Sequence, residues 1–225
     1  RPDLFLTSMK LFKNIKNWLE NQEHLFYLFL FILIVPNMVL CFTEPLPFMA
    51  KVANVLLPFG CYYLLMTLSR NCGKMLWILF LFLFFGAFQI VLLYLFGQSI
   101  IAVDMFLNLV TTNSSEALEL LDNLTPAIIA VIILYVPALI LGTISIIRKR
   151  KLTVEFIRRE RKRAFLVFGI SLLSLVGAYV QDSGYELKSD LYPLNVCYNV
   201  GLAFQRTALT QDYHRTSKDF TFHAR

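Results

Sequence analysis

The stretch HLFYLFLFILIVPNMVLCFT, residues 24–43, contains no Asp, Glu, Lys or Arg. A helix rises about 1.5 Å per residue and needs roughly 20 mainly apolar residues to cross a hydrocarbon core about 30 Å thick. This run is long enough, and four more follow at residues 50–69, 75–96, 125–147 and 164–180. Backbone polar groups in lipid must bond within their own segment, so each run is predicted to be a helix. The expected fold class is therefore an all-α integral membrane protein, a bundle of five transmembrane helices.

Composition supports this class. Of 225 residues, 57% are hydrophobic and 16% charged, against about 45–50% apolar residues in a soluble domain. The formal charge of +6 does not read as a nucleic-acid footprint, because Lys and Arg gather at the ends of apolar runs rather than alternating with aromatics on one face. No nucleic-acid partner is expected. Cys41, Cys61, Cys72 and Cys197 lie in or beside different runs without CxxC spacing, which predicts neither a disulfide nor a metal. The chain opens on RPDLFLTSMK, and Met9 is a candidate natural start.

Basic residues orient the runs. Lys10, Lys13 and Lys16 precede the first run, Arg70 and Lys74 follow the second, and RKRK with RRERKR fills residues 148–163. The opposite connections, TEPLP and residues 98–124, hold no Lys or Arg. Cytoplasmic loops carry the excess of Lys and Arg, which predicts a cytoplasmic N-terminus and places everything after Val180 on the far side. The expected division is a cytoplasmic segment 1–23, a membrane domain 24–181 that includes an amphipathic segment 98–124, and a linker 182–225. Pro36, Pro58 and Pro137 should bend their helices, and Asn37, Asn54 and Gln89 read first as packing glue inside the bundle. Lys51 has two readings, a snorkelling amine or a residue facing an inner site.

The segment MFLNLVTTNSSEALELLDNLTP, residues 105–126, is the polar exception. At about 100° per residue, Asp104, Asn108, Thr111, Thr112, Ser115, Glu116, Glu119 and Asp122 share an arc of roughly 140°, opposite an apolar arc. Such a helix would lie on the outer leaflet or on the bundle. Its polar face lacks the Lys and Arg of helices that bind anionic lipid and suits a cationic or amine-bearing head group. Asn113 and Ser114 fall in the apolar arc and predict a break into two short helices. Asn113 followed by Glu116 also resembles a capping box, so Glu116 has a purely structural reading too. Asn113 and Asn123 begin glycosylation sequons, which matter only in a glycosylating pathway.

Within FGQSIIAVDMFLNLVTTNSSEALELL, the spacing of Gly97, Met105, Asn108, Thr112, Glu116, Ala117 and the Leu120–Leu121 pair resembles the membrane domain of the bacterial lipid A phosphoethanolamine transferases. The tail YPLNVCYNVGLAFQRTALTQDYHRTSKDFTFHAR, residues 192–225, is similar to the linker of those enzymes. Read without the resemblance, residues 196–210 form an amphipathic connecting helix and DFTFHA opens an extended segment. The resemblance implies five spans, amphipathic periplasmic helices and a periplasmic sulfatase-like domain of the alkaline phosphatase superfamily. It also implies a bacterial inner-membrane location and transfer of phosphoethanolamine from phosphatidylethanolamine to lipid A, with polymyxin resistance as a consequence. Asn108, Thr112 and Glu116 match positions that help hold the ethanolamine head group. The family's Thr nucleophile and zinc belong to the periplasmic domain, so no catalytic residue, cofactor or metal is expected in this chain, which should be inactive alone. His24, His214 and His223 form no recognisable metal motif. Two alternatives are a lipoteichoic-acid-synthase-like phosphoglycerol transferase and a non-enzymatic scaffold or transporter subunit.

Overall fold

The computed structural model describes residues 2–96 and 114–218, with side chains described at 9–91 and 125–210. Among these residues the chain is helical and has no strand. The described helices are α1 (Pro2–Glu20), α2 (Gln22–Thr43), α3 (Phe48–Met66), α4 (Cys72–Ile78), α5 (Phe80–Phe96), α6 (Ser114–Ile147), α7 (Val154–Gln181), α8 (Leu187–Asp190) and α9 (Leu194–Lys218). Four helices are long and apolar enough to cross a membrane, or five if the bent pair α4 and α5 is one span.

The helices start and stop where local chemistry directs. Asn21 caps α2 by accepting from the Glu23 N–H at 2.9 Å, Asn71 caps α4 through Lys74 at 2.8 Å, and Thr153 caps α7 through Phe156 at 3.2 Å. Each side chain satisfies a backbone donor that the first helical turn leaves without a partner. At the end of α6, Lys149 takes φ 50. Its N–H donates to Ile146 and the Arg150 N–H donates to Ser145, which closes the helix as a left-handed cap normally built on glycine.

α2 lies at the centre and α6 and α7 at the periphery, with about a fifth of each outer span buried against more than half of α2. Phe26, Phe29, Met66, Leu76 and Ala164 are fully buried in the main core. Large aliphatic side chains also point outward, with Ile133 68%, Leu173 72% and Val180 82% exposed. Helices apolar on every side are the pattern of membrane spans or of the centre of a large protein.

α3 and α7 pair most extensively. Ala50, Ala53 and Gly60 on α3 meet Ala164, Ser171, Ser174 and Ala178 on α7, all of them buried. A Cβ added at Gly60 would stand 3.1 Å from the Phe168 Cα. Small residues let two backbones approach when no water-driven force presses the helices together. The Ser171 and Ser174 hydroxyls donate to carbonyls of their own helix at 2.6 Å, so the close face leaves neither unsatisfied. A tighter crossing joins α4 to α6, where a Cβ at Gly73 would lie 2.2 Å from the Gly142 carbonyl oxygen.

Four features depart from the sequence expectation. The run at 75–96 is broken at Leu79, where α4 and α5 meet at 63°. There is no Pro at the break. Instead α4 is drawn against α6 by Gly73 and by the Trp77 indole donating to the Thr143 hydroxyl at 3.1 Å, while α5 turns to set Gly86 beside Pro36. The basic stretch before the fifth run is helical from Val154, making α7 28 residues long. Residues 114–124 continue directly into the fourth span as one 34-residue helix instead of forming a separate short one. The connecting helix runs from Leu194 to Lys218, longer than expected, while DFTFHA lies outside the described residues.

At the end of the bundle that carries the basic residues, Glu160 is completely buried. Its carboxylate accepts from the Tyr63 hydroxyl at 2.5 Å, from Arg159 Nε at 2.9 Å and from Arg163 Nη1 at 3.0 Å. A buried charge survives when it is paired and hydrogen-bonded. Here the pairing fastens α7 to α3.

Candidate functional site

Asn108 and Thr112, two of the three predicted head-group residues, lie outside the described residues. Glu116 lies on the first described turn of α6. A rise of about 1.5 Å per residue sets its Cα roughly 13 Å along the helix from Thr125, where the apolar run begins in the sequence. Since the helix is continuous, Glu116 belongs to an extension of the fourth span.

The up-and-down course of α2, α3, α6 and α7 brings four helix ends together at that side. There the segment 182–195 folds back onto the bundle and is held by asparagines from within the spans. Asn54 Nδ2 donates to the Asp190 carbonyl at 2.7 Å, and Asn54 Oδ1 accepts from the Tyr185 hydroxyl at 2.5 Å. Asn37 Nδ2 donates to the carbonyls of Asn54 and Tyr192 at 2.9 and 2.7 Å. The Met49 N–H donates to Gln181 Oε1 at 2.8 Å, joining the start of α3 to the end of α7. Asn37 and Asn54 thus act as packing glue, and what they hold is the chain leaving the last span. An amide serves well because it donates and accepts at once without a charge to desolvate.

Tyr185 and Tyr192 are each only 2% exposed. Tyr185 packs edge-on against Tyr179, with ring centroids 5.4 Å apart. The Tyr192 hydroxyl donates to the Phe82 carbonyl at 3.3 Å. It also approaches Gly86, where an added Cβ would meet the Tyr192 and Tyr135 hydroxyls at 3.3 and 3.0 Å. Val196 then inserts beside Leu40 and Tyr192. Nothing in the spacing of 185–196 announced these anchors, because alternating aromatic and polar residues in a linker serve equally well on a surface. The one legible signal was the pair of asparagines inside apolar runs.

Several polar atoms in and around the bundle have no hydrogen-bond partner among the described residues: Asn37 Oδ1, the Tyr135 hydroxyl, both side-chain atoms of Asn195, and Glu44 Oε1. Native interiors rarely leave such groups unpaired. Glu44 belongs to the TEPLP turn at the end of α2, and burial pushes its carboxyl above the ordinary range. Lys51, on the first turn of α3, is half-buried, and its side-chain amine makes no ion pair or hydrogen bond among the described residues.

This end therefore offers neutral donors and acceptors, the Glu44 carboxyl and the Lys51 amine, beside Asp182, Glu186, Lys188 and Asp190 of the returning segment. Among the described residues no three of His, Cys, Asp and Glu come together to hold a metal ion. Comparison with protein-family models, curated proteins and solved structures finds no match for this chain.

Proposed function

We propose that this chain is the membrane half of a phosphoethanolamine transferase of a bacterial inner membrane, with its N-terminus cytoplasmic and its C-terminus periplasmic. In this reading it holds the head group of phosphatidylethanolamine beside a sulfatase-like catalytic domain, which passes phosphoethanolamine to a lipid A phosphate. The observation that carries the reading is the polar stretch 104–122, which has hydroxyls, amides and four carboxylates but no Lys or Arg. Glu116 would attract the ethanolamine ammonium, while Asn108 and Thr112 would hydrogen-bond the head group.

The surroundings support this. Apolar outer faces suit a bilayer, and the basic connections at 70–74 and 148–163 stand at the opposite end of the spans from residues 114–122. Two lipid substrates confined to a membrane must meet a water-exposed catalytic centre. A polar platform at the interface raises the effective concentration of the donor beside it.

The test uses a form of the protein that includes the sulfatase-like domain. Glu116→Ala should abolish or strongly reduce phosphoethanolamine-modified lipid A in a mass spectrum while protein levels stay normal. Glu116→Gln separates head-group binding from capping, because Gln also completes a capping box but carries no charge. Loss with both variants supports ammonium binding. Full modification with Gln assigns Glu116 to the cap. Competition by ethanolamine lipids but not by glycerol lipids distinguishes this donor from phosphatidylglycerol.

A further inference from the structure

We infer that the opposite, basic end of the bundle carries a binding groove for an anionic phospholipid. The groove has a volume of about 490 Å³ and lies between α7 and the turn joining α3 to α4. Arg158, Arg161 and Lys162 line it from α7, Arg70 faces them across it, and Ile157 and Phe165 supply apolar surface. Ile157, Arg158, Arg161, Lys162 and Phe165 recur at helical spacing, so one face of α7 presents all five.

The charges in the groove are not neutralised within the protein. Arg159 and Arg163, on the other side of α7, are paired with buried Glu160. Arg161 and Arg70 are positioned instead by neutral carbonyls: Arg161 Nη2 donates to Thr67 at 2.7 Å and Arg70 Nε to Leu152 at 2.9 Å. The side chains of Arg158 and Lys162 make no hydrogen bond or ion pair among the described residues. Glu155, a turn earlier on α7, is exposed and makes no ion pair among them either. Four cations thus converge on a space that holds no balancing anion, which is the arrangement that receives a phosphate.

The apolar lining selects a lipid over a free anion. Ile157 forms a buried floor, whereas Phe165 is exposed, as are Ile170 and Leu173 farther along α7. A soluble phosphate gains nothing from these side chains. A phospholipid would place its phosphate among the cations and run its acyl chains along the outer face of α7. The inference rests on the bundle lying in a bilayer and is independent of the transferase reading.

The test is native mass spectrometry of the full 225-residue chain in mild detergent, titrated separately with phosphatidylglycerol, phosphatidylcholine and inorganic phosphate. Phosphatidylglycerol should be retained at least tenfold better than phosphatidylcholine, and inorganic phosphate should neither bind nor compete at equal concentration. The variant Arg158→Gln/Lys162→Gln should lose roughly twenty-five-fold in phosphatidylglycerol retention, from about fivefold per cation removed. A matched variant, Lys74→Gln/Lys151→Gln, removes the same charge from exposed positions outside the groove and should lose far less. Equal retention of the two lipids, displacement by phosphate, or equal losses in both variants would each overturn the groove. Both variants alter exposed side chains that make no hydrogen bond or ion pair among the described residues, and the lipid preference of the unmodified chain tests the proposal without any variant. A chain recovered in the soluble fraction would defeat the membrane reading itself, a result distinct from loss of lipid preference.

Discussion

Two acids show how position decides the fate of a carboxyl. In RRERKR, residues 158–163, the single Glu looks like one more member of a solvated charge run. In the structure it is the buried centre of that run, gathering Tyr63, Arg159 and Arg163. Tyr63→Phe removes one hydrogen bond to a charge that has no water to replace it. It is expected to cost about 1.5–3 kcal/mol, measured as a fall in melting temperature in detergent; an unchanged value would assign the carboxylate to the arginines alone. Glu44 behaves oppositely. Burial raises its pKa in the folded state, so folding takes up a proton more readily than the unfolded chain does. The stability tied to the protonated form is complete below the unfolded pKa of about 4.3 and is lost as pH rises through the raised folded value. Glu44→Gln should therefore raise the melting temperature at pH 7.5 and change it little near pH 4. Equal effects at both pH values would remove the titration argument.

At the scale of helices, contact distance outweighs hydrophobicity. Apolar length was readable from the residues, and the runs at 24–43 and 50–69 appear as helices with closely similar limits, while the run at 125–147 forms the later part of the 34-residue helix Ser114–Ile147. The break at Leu79 was not readable, because it arises from what α4 and α5 each touch. Glycine provides the clearest test. Gly73→Ala would drive a methyl group into the Gly142 carbonyl, 2.2 Å from the new Cβ, while Gly169 has nothing within 4 Å of that position. Gly73→Ala should lower the melting temperature sharply and separate α4 from α6. Gly169→Ala should be neutral or slightly stabilising, in line with the helix preference of Ala over Gly. Similar behaviour of the two variants would show that the α4–α6 crossing can relax freely.

Across the whole molecule, the charge pattern predicts opposite sides for the two kinds of connection. Cys197 has an exposed side chain on α9, and Lys151 lies in the basic connection before α7. A membrane-impermeant maleimide applied to spheroplasts should label Cys197 and spare a Lys151→Cys/Cys197→Ser variant until the cells are opened; the reverse pattern would invert the orientation. The proposed head-group site is divided by the same scale. Glu116 is placed on an extension of the fourth span, while Asn108 and Thr112 lie outside the described residues, so their convergence with it remains a sequence expectation. By itself the sequence determined the helical class, the number and approximate limits of the long apolar runs and the segregation of basic residues, because bilayer thickness and backbone hydrogen bonding act on local composition. Only the tertiary structure decided that Glu160 is buried, that the third run bends, and that Asn37 and Asn54 hold the segment at 185–192. Each depends on the distance between residues far apart in the chain, which neither composition nor periodicity records.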